Sequence, residues 1–170
     1  MKAAILGNGP SRIHYTPNNQ YEFVMGCNIP WTTTDATCIV DDVVIKKWHE
    51  QHDLINTKVY YSEKAWQTAC ELDTSFFSQF YANVVKHGTH YDSSGHTAVR
   101  TAISLGYTEI DVYGCDSYFS RTVESYTSNY IIRDTSPNSD LRKVDRAIGW
   151  RVQWNVLVES NPSIKIVFIR

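Results

Sequence analysis

Short apolar segments, each bounded by polar residues or glycine, recur along the chain. Segments of this length and composition are typical of strands buried inside a sheet. The predicted strands are Lys2–Leu6, Glu22–Met25, Thr37–Val40, Lys58–Tyr61, Glu109–Tyr113 and Ile164–Ile169. Between them, apolar residues at helical spacing predict helices over Val43–His49, Glu63–Leu72, Thr97–Leu105 and Asp140–Val158.

This alternation of strands and helices predicts an α/β fold. The length of 170 residues fits one domain. We therefore expect residues 1–170 to form a single Rossmann-like, doubly wound domain with a mainly parallel sheet. The stretch 117–138 differs, because it is rich in Ser, Thr, Tyr and Asn and has no clean period. A connection of this length is more often functional than not, so we predict a lid loop there.

Composition excludes several classes of protein. The net charge of -2 and the charged fraction of 20% disfavour a protein that binds the nucleic-acid backbone. No apolar run approaches the roughly 20 residues that span a bilayer, and the turn at Gly7 falls where a signal peptide would continue its apolar stretch. We expect a cytoplasmic protein without a membrane span. The four cysteines are widely spaced and form no CxxC pair, so we expect most of them to be buried apolar side chains rather than parts of a zinc or redox motif.

The first segment that could carry chemistry is the turn Gly7-Asn8-Gly9-Pro10-Ser11, directly after the first strand. Glycines let backbone N–H groups approach a phosphate or ribose closely, and Asn8 and Ser11 supply short hydrogen-bonding side chains. The turn matches neither GxGxxG nor a Walker loop. A purely structural turn capped by Ser11 is the alternative interpretation.

Two further turns are predicted at the same edge of the sheet. Ser93-Ser94-Gly95 begins a predicted helix, whose free N–H groups can bind an anion or can simply be capped by the serines. Gly114-Cys115-Asp116-Ser117-Tyr118 follows the strand Glu109–Tyr113. Ligands of open α/β sheets bind outside the carboxyl ends of the strands, so we expect Asn8, Ser94 and Asp116 on one rim around a common pocket.

These segments resemble the sialyltransferases of glycosyltransferase family 42, bacterial enzymes that use CMP-sialic acid. The resemblance rests on GNGPS after the first strand, on Cys27-Asn28 after the second and above all on Ser93–Tyr118, and it covers roughly Met1–Tyr130. The same opening occurs in the related DUF115 and Maf flagellin-glycosylation proteins.

The resemblance implies a site for a nucleotide sugar, with a CMP-linked donor and no other cofactor. Tyr118 matches a tyrosine that in the family binds the donor phosphate and eases the departure of CMP. A phenol can neutralise the developing charge in place of a metal ion, so no metal is expected, and Asp41-Asp42 is interpreted as an acidic pair at a helix start. The implied nucleotide-binding residues are Asn8, Gly9, Ser11, Asn28, Ser62, Ser93, Ser94, Gly95, Gly114 and Asp116.

The sequence also departs from the family pattern. Asn129 stands where the family has the histidine that acts as general base, and an amide cannot accept a proton from an acceptor hydroxyl. His96 or His90, which flank the Ser-Ser-Gly turn, are candidates to replace it, although each can equally be a helix-start or surface histidine. The family's basic residue ahead of that turn is also missing, with Tyr91-Asp92 in its place.

Three functions remain open. The first is a glycosyltransferase that moves a sugar from a nucleotide donor to an acceptor hydroxyl through Tyr118 and a displaced base. The second is a non-catalytic module that binds or sequesters a nucleotide. The third follows the DUF115 branch toward pterin pyrophosphokinase chemistry, which needs Mg²⁺ and a carboxylate cluster that only Asp41, Asp42 and Asp116 could supply. The expected partner is a small-molecule nucleotide or nucleotide sugar, and a homo-oligomer remains open.

Overall fold

Seven strands and four α-helices make up the described part of the protein. The computed structural model describes residues 1–18, 20–89, 92–121 and 139–170, with the backbone alone for 139–143. The strands are β1 (Lys2–Leu6), β2 (Phe23–Cys27), β3 (Ala36–Ile39), β4 (Lys58–Ser62), β5 (Tyr81–Val85), β6 (Glu109–Tyr113) and β7 (Lys165–Phe168). The helices are α1 (Asp42–Glu50), α2 (Glu63–Ser78), α3 (Ser94–Ser104) and α4 (Ser139–Glu159), and 3-10 turns occupy Pro10–His14 and Asp116–Tyr118.

The strands form one sheet in the order β5-β4-β3-β2-β1-β6-β7. Every neighbouring pair is parallel. The chain builds outward from β1 in one direction through β2 to β5, and then in the other through β6 and β7. This topology confirms the predicted α/β fold with a parallel sheet. It places the reversal of strand order, where open α/β sheets bind their ligands, between β1 and its neighbours β2 and β6.

Strand β5 was not predicted, and its position in the sheet explains why. It lies at one edge of the sheet, where Tyr81 and Asn83 are exposed, so the segment carries no continuous apolar run. Helix α2 also runs further than predicted, to Ser78 instead of Leu72. Asp73 interrupts it with φ -162° and ψ 86°, and its Oδ1 accepts a hydrogen bond from the N–H of Phe76 at 2.9 Å, which restarts the helix.

Helices cover both faces of the sheet. On one face α3 and α4 pack against the central strands, where Trp154 and Ala98 join a buried cluster with Ile5. On the other face α1 and α2 pack against β3 and β4, and Trp48 lies edge-on to Phe77 with ring centroids 5.1 Å apart. Truncating a buried tryptophan of this kind costs about 3–5 kcal/mol. The sheet therefore has a buried core on each of its faces.

The cysteine prediction holds for Cys27 and Cys38, which are buried, but Cys70 is exposed. All four thiols are free. Of the predicted lid, residues 117 and 118 belong to the 3-10 turn after β6 and 119–121 follow it, while 122–138, including Asn129, lie outside the described residues. His90 lies outside them as well. No helix in the described ranges is long and apolar enough to cross a membrane.

Candidate nucleotide site

The turns that follow β1 and β6 are joined directly by hydrogen bonds. The N–H of Gly9 donates to the carbonyl of Gly114 at 2.8 Å, and the N–H of Gly114 donates to Ser11 Oγ at 2.9 Å. The carboxylate of Asp116 accepts from the N–H of Ser11 at 3.1 and 3.3 Å. Residues separated by about a hundred positions in sequence therefore form one unit at the carboxyl edge of the sheet.

Glycine is required in this unit for close packing of the two turns. A Cβ on Gly9 would lie 2.7 Å from the carbonyl oxygen of Gly114 and would collide with the Asp116 carboxylate. Gly114 itself has a φ of +65°, which favours glycine. The glycines that the sequence suggested for ligand approach thus serve first to bring the β1 and β6 turns together.

Asn28 is the most unusual residue of the site. Its φ of +59° lies in the left-handed region, which side chains other than glycine occupy at a cost. Its Nδ2 donates to Ser94 Oγ at 3.3 Å and so links the end of β2 to the start of α3. Its Oδ1 is buried and accepts no hydrogen bond from the described residues. A strained backbone that presents an unsatisfied amide oxygen at a sheet edge is typical of a ligand-binding position.

Asn8 connects the first turn to the second strand. Its Nδ2 donates to the carbonyl of Cys27 at 2.6 Å, and the residue is buried. Together with the bond between Asn28 and Ser94, this contact places all the turns named above at one edge. Asn8, Ser94 and Asp116 lie on the same rim of the sheet.

His96 occupies the start of α3 as a structural residue. Its Nδ1 accepts from the N–H of Ser93 at 2.9 Å and contacts Ser93 Oγ at 2.8 Å, while its Nε2 donates to the carbonyl of Trp150 at 2.9 Å. The ring is fully buried and stacks on Trp154 with centroids 3.7 Å apart. Burial lowers the pKa of His96 to about 4. Both ring nitrogens are engaged, so the expectation that His96 replaces the general base is corrected.

Ser62 likewise has a structural role and not a ligand-binding one. Its Oγ donates to the carbonyl of Val40 at 3.0 Å and accepts from the N–H of Ala65 at 3.2 Å. The residue is buried and caps the start of α2. The expected contact of Ser62 with a base or ribose is corrected accordingly.

Tyr118 lies in the 3-10 turn directly after β6. Its ring stacks on Phe168 of β7, with centroids 4.0 Å apart and planes 4° apart, and meets Phe119 edge-on. No described residue forms a hydrogen bond with its hydroxyl group. The two ring contacts therefore hold the side chain of Tyr118 in place.

Asp92 stands where the resemblance expects a basic residue, and its charge is compensated internally. The side chain is buried, pairs with Arg100 of α3 and accepts from the N–H of Thr89 at 3.1 Å. This ion pair anchors the segment before α3 to the helix. It explains why an acidic residue is tolerated beside the Ser-Ser-Gly turn.

The carboxylates that a pyrophosphokinase would need are far apart. Asp42 pairs with Lys64 at 3.1 Å and with Lys46 at 3.3 Å, and these bonds lower its pKa. Asp116 follows β6, which is three strands from β3 in the sheet and hence roughly 14 Å away at about 4.8 Å per strand. In the part of the chain that the structure describes, no three His, Cys, Asp or Glu side chains form a metal-binding group.

Sequence reasoning missed two residues of α4 that reach this edge. Trp154 packs on His96, and Arg151 donates through Nη2 to the carbonyl of Ser120. The sequence carried no signal for them, because the burial of Ala147 and Trp154, which lie four residues before and three after Arg151, is seen only in the structure. A cation on the inward side of an amphipathic helix is a candidate for a specific role.

No family model matches the chain, and no curated protein matches it. Among solved structures, the crystal structure of the sialyltransferase CST-II in complex with trisaccharide acceptor and CMP is similar. The two chains are 17% identical, the match covers 99% of this chain and 81% of the other, and the TM-score is 0.50. At this identity the similarity establishes a shared α/β, Rossmann-like fold.

Proposed function

We propose that the protein binds a cytidine nucleotide sugar at the carboxyl edge of its sheet and transfers the sugar to an acceptor hydroxyl. One observation carries the proposal: the separate segments that resemble family 42 sialyltransferases meet at the topological switch point and bond to one another, Gly9 to Gly114 and Asn28 to Ser94. The similar fold of CST-II, whose structure holds CMP and an acceptor trisaccharide, supports the choice of ligand.

In this proposal the nucleotide lies across the joined turns. The unsatisfied Oδ1 of Asn28 accepts a hydrogen bond from an amine or hydroxyl of the ligand, since a buried acceptor gains most from a donor there. Ser94 and Gly95 contact the ribose or sugar at the start of α3. Gly9, Ser11, Ser93, Gly114 and Asp116 frame the pocket.

Tyr118 is the proposed catalytic residue. Its phenol donates to the donor phosphate as the bond to the sugar breaks, and so stabilises the negative charge that develops on the departing CMP. The stack on Phe168 fixes the direction of the ring, so little reorganisation is needed during the reaction. In this mechanism the phenol does what a metal ion would otherwise do.

A non-catalytic nucleotide-binding module is the second candidate, and one observation favours it. Both ring nitrogens of His96 form hydrogen bonds within the fold. Among the described residues we identify no other histidine as the base. Asn129, at the position where the resemblance expects the base, lies outside those ranges. A protein that keeps the pocket without a base would hold a nucleotide without turning it over.

Hydrolysis of CMP-sialic acid separates the two candidates. If the protein is a transferase, wild type releases CMP, and Tyr118→Phe reduces that rate at least about tenfold while changing CMP affinity less. Tyr107→Phe is the matched control, because Tyr107 precedes β6 at the opposite edge and stacks on Phe23. If wild type binds CMP but releases none, while Asn129→His creates turnover, the binding module with a lost base is the correct function. Absence of CMP binding would contradict both candidates.

A further inference from the structure

Helix α4 carries two buried N–H groups that have no hydrogen-bond acceptor among the described residues. They are Nε of Arg151 and Nε1 of Trp154. Trp154 is fully buried. The two residues are three positions apart, so they lie on the same face of the helix. A buried donor without an acceptor costs about 1–3 kcal/mol, and two such donors side by side indicate that an acceptor belongs there.

Both side chains lie at the carboxyl edge of the sheet. The indole of Trp154 stacks on His96, and its Cζ2 atom lies 3.2 Å from the position that a Cβ on Gly95 would take. Arg151 donates through Nη2 to the carbonyl of Ser120, two residues beyond Tyr118. The two donors therefore lie between the N-terminus of α3 and the turn that follows β6.

Among the described residues the charge of Arg151 is also not balanced by a carboxylate. Arg100, in contrast, pairs with the buried Asp92. A guanidinium stays protonated at any physiological pH, and its planar fork fits the oxygens of a phosphate or carboxylate. The first turn of α3, where Ser93 and His96 form a capping box, adds the positive end of the helix dipole. All three features favour an anion.

We propose that Arg151 and Trp154, together with the start of α3, form an oxoanion subsite of the nucleotide site. It binds the phosphate of the nucleotide or the carboxylate of an acidic sugar through the Arg151 guanidinium and the Trp154 indole N–H. The identity of the ligand rests on the proposed function, whereas the affinity for an oxoanion follows from the two donors of α4 and the start of α3. Arg151 is then a specificity-determining residue that selects charged over neutral ligands.

The side-chain N–H signals of both residues can be followed directly by NMR. They are assigned in ¹⁵N-labelled protein by their loss in Trp154→Phe and Arg151→Lys. Inorganic phosphate and sialic acid are then titrated separately into wild type. A shift of both signals by phosphate identifies the phosphate arm, and a shift by sialic acid alone identifies the carboxylate arm. If neither anion shifts them at millimolar concentration, the subsite is refuted.

The variant Arg151→Gln tests the role of the charge. We expect it to weaken binding of the active anion at least about tenfold, as for a charge-assisted bidentate contact. Lys165→Gln, which removes a positive charge from the amino end of β7, is the control and should bind as wild type does. Equal affinity in Arg151→Gln and wild type would overturn the inference.

Cytidine and CMP distinguish this inference from the proposed function. If CMP binds at least about tenfold more tightly than cytidine, and Arg151→Gln abolishes the difference, both stand. If CMP binds but Arg151→Gln keeps the difference, the subsite is wrong and the proposed function survives. If phosphate binds through Arg151 while cytidine adds no affinity, the subsite is right and the nucleotide function is wrong.

Discussion

Protonation of His96 should destabilise the fold, and the size of the effect follows from its surroundings. The ring is fully buried, and burial lowers its pKa to about 4, against about 6.5 in an unfolded chain. Between these two values the unfolded state binds a proton that the folded state does not. Stability is therefore full above about pH 6.5 and falls as the pH drops toward 4. At about 1.36 kcal/mol per pH unit, the loss is roughly 3 kcal/mol.

The variant His96→Gln isolates this contribution. His96 occupies the third position of α3 and accepts from the N–H of Ser93, which is the contact that glutamine makes in a capping box. Glutamine therefore keeps the cap but cannot titrate. Urea unfolding at several pH values from 7 to 4 measures the free energy of unfolding of both proteins. We expect the free energy of unfolding of wild type, relative to that of the variant, to fall by roughly 3 kcal/mol as the pH is lowered from 7 to 4.

An NMR titration of the His96 ring provides an independent measurement. A ring that titrates near pH 4 agrees with burial and with both nitrogens being engaged. A ring that titrates near 6.5, together with no pH dependence in the stability difference, would refute the structural role of His96. It would also return the residue to the list of candidate bases.

Three further substitutions test the site. Gly9→Ala should lower the free energy of unfolding by about 1–3 kcal/mol, because its Cβ collides with the Asp116 carboxylate. Gly26→Ala is the control and should cost less, because a Cβ has nearly enough room there. Equal costs of the two substitutions would contradict the close packing of the turns. Ser62→Ala should lower the free energy of unfolding, measured with urea, by about 1 kcal/mol, because the cap of α2 is lost. It should leave the Kd for CMP unchanged. A higher Kd would show that Ser62 contributes to the site. Asn28→Gly tolerates the positive φ and removes only the side-chain amide. Calorimetry should show that its affinity for CMP is reduced at least about tenfold, with little change in the free energy of unfolding. Unchanged affinity would exclude Asn28 as a ligand contact.

The central strands could be predicted because both faces of a parallel sheet are buried, which makes segments such as Ala3–Leu6 continuously apolar. The edge strand β5 could not be predicted, since the exposed residues Tyr81 and Asn83 interrupt the pattern. The prediction that Asn8, Ser94 and Asp116 lie on one rim also needed only the local sequence, because turns after parallel strands must lie at one edge of the sheet.

The roles of individual side chains depended on distant residues and could not be predicted. A serine after a strand can contact a ligand or cap the next helix, and Ser62 is a cap only because Val40 and Ala65 satisfy its hydroxyl. Whether His96 is open or engaged depends on Trp150 and Trp154, more than fifty residues later. The sequence pattern of α4 does not show which of its residues will meet the start of α3.

The most direct test of the proposed function is a titration of ¹⁵N-labelled protein with CMP, followed through the backbone amide signals. We predict that the signals that shift are those of the joined turns, Gly7–Ser11, Asn28, Ser93–Gly95 and Gly114–Asp116, while those at the amino ends of the strands, such as Lys2 and Lys165, do not. Absence of shifts at millimolar CMP, or shifts confined to the amino edge, would contradict a nucleotide site at the carboxyl edge of the sheet.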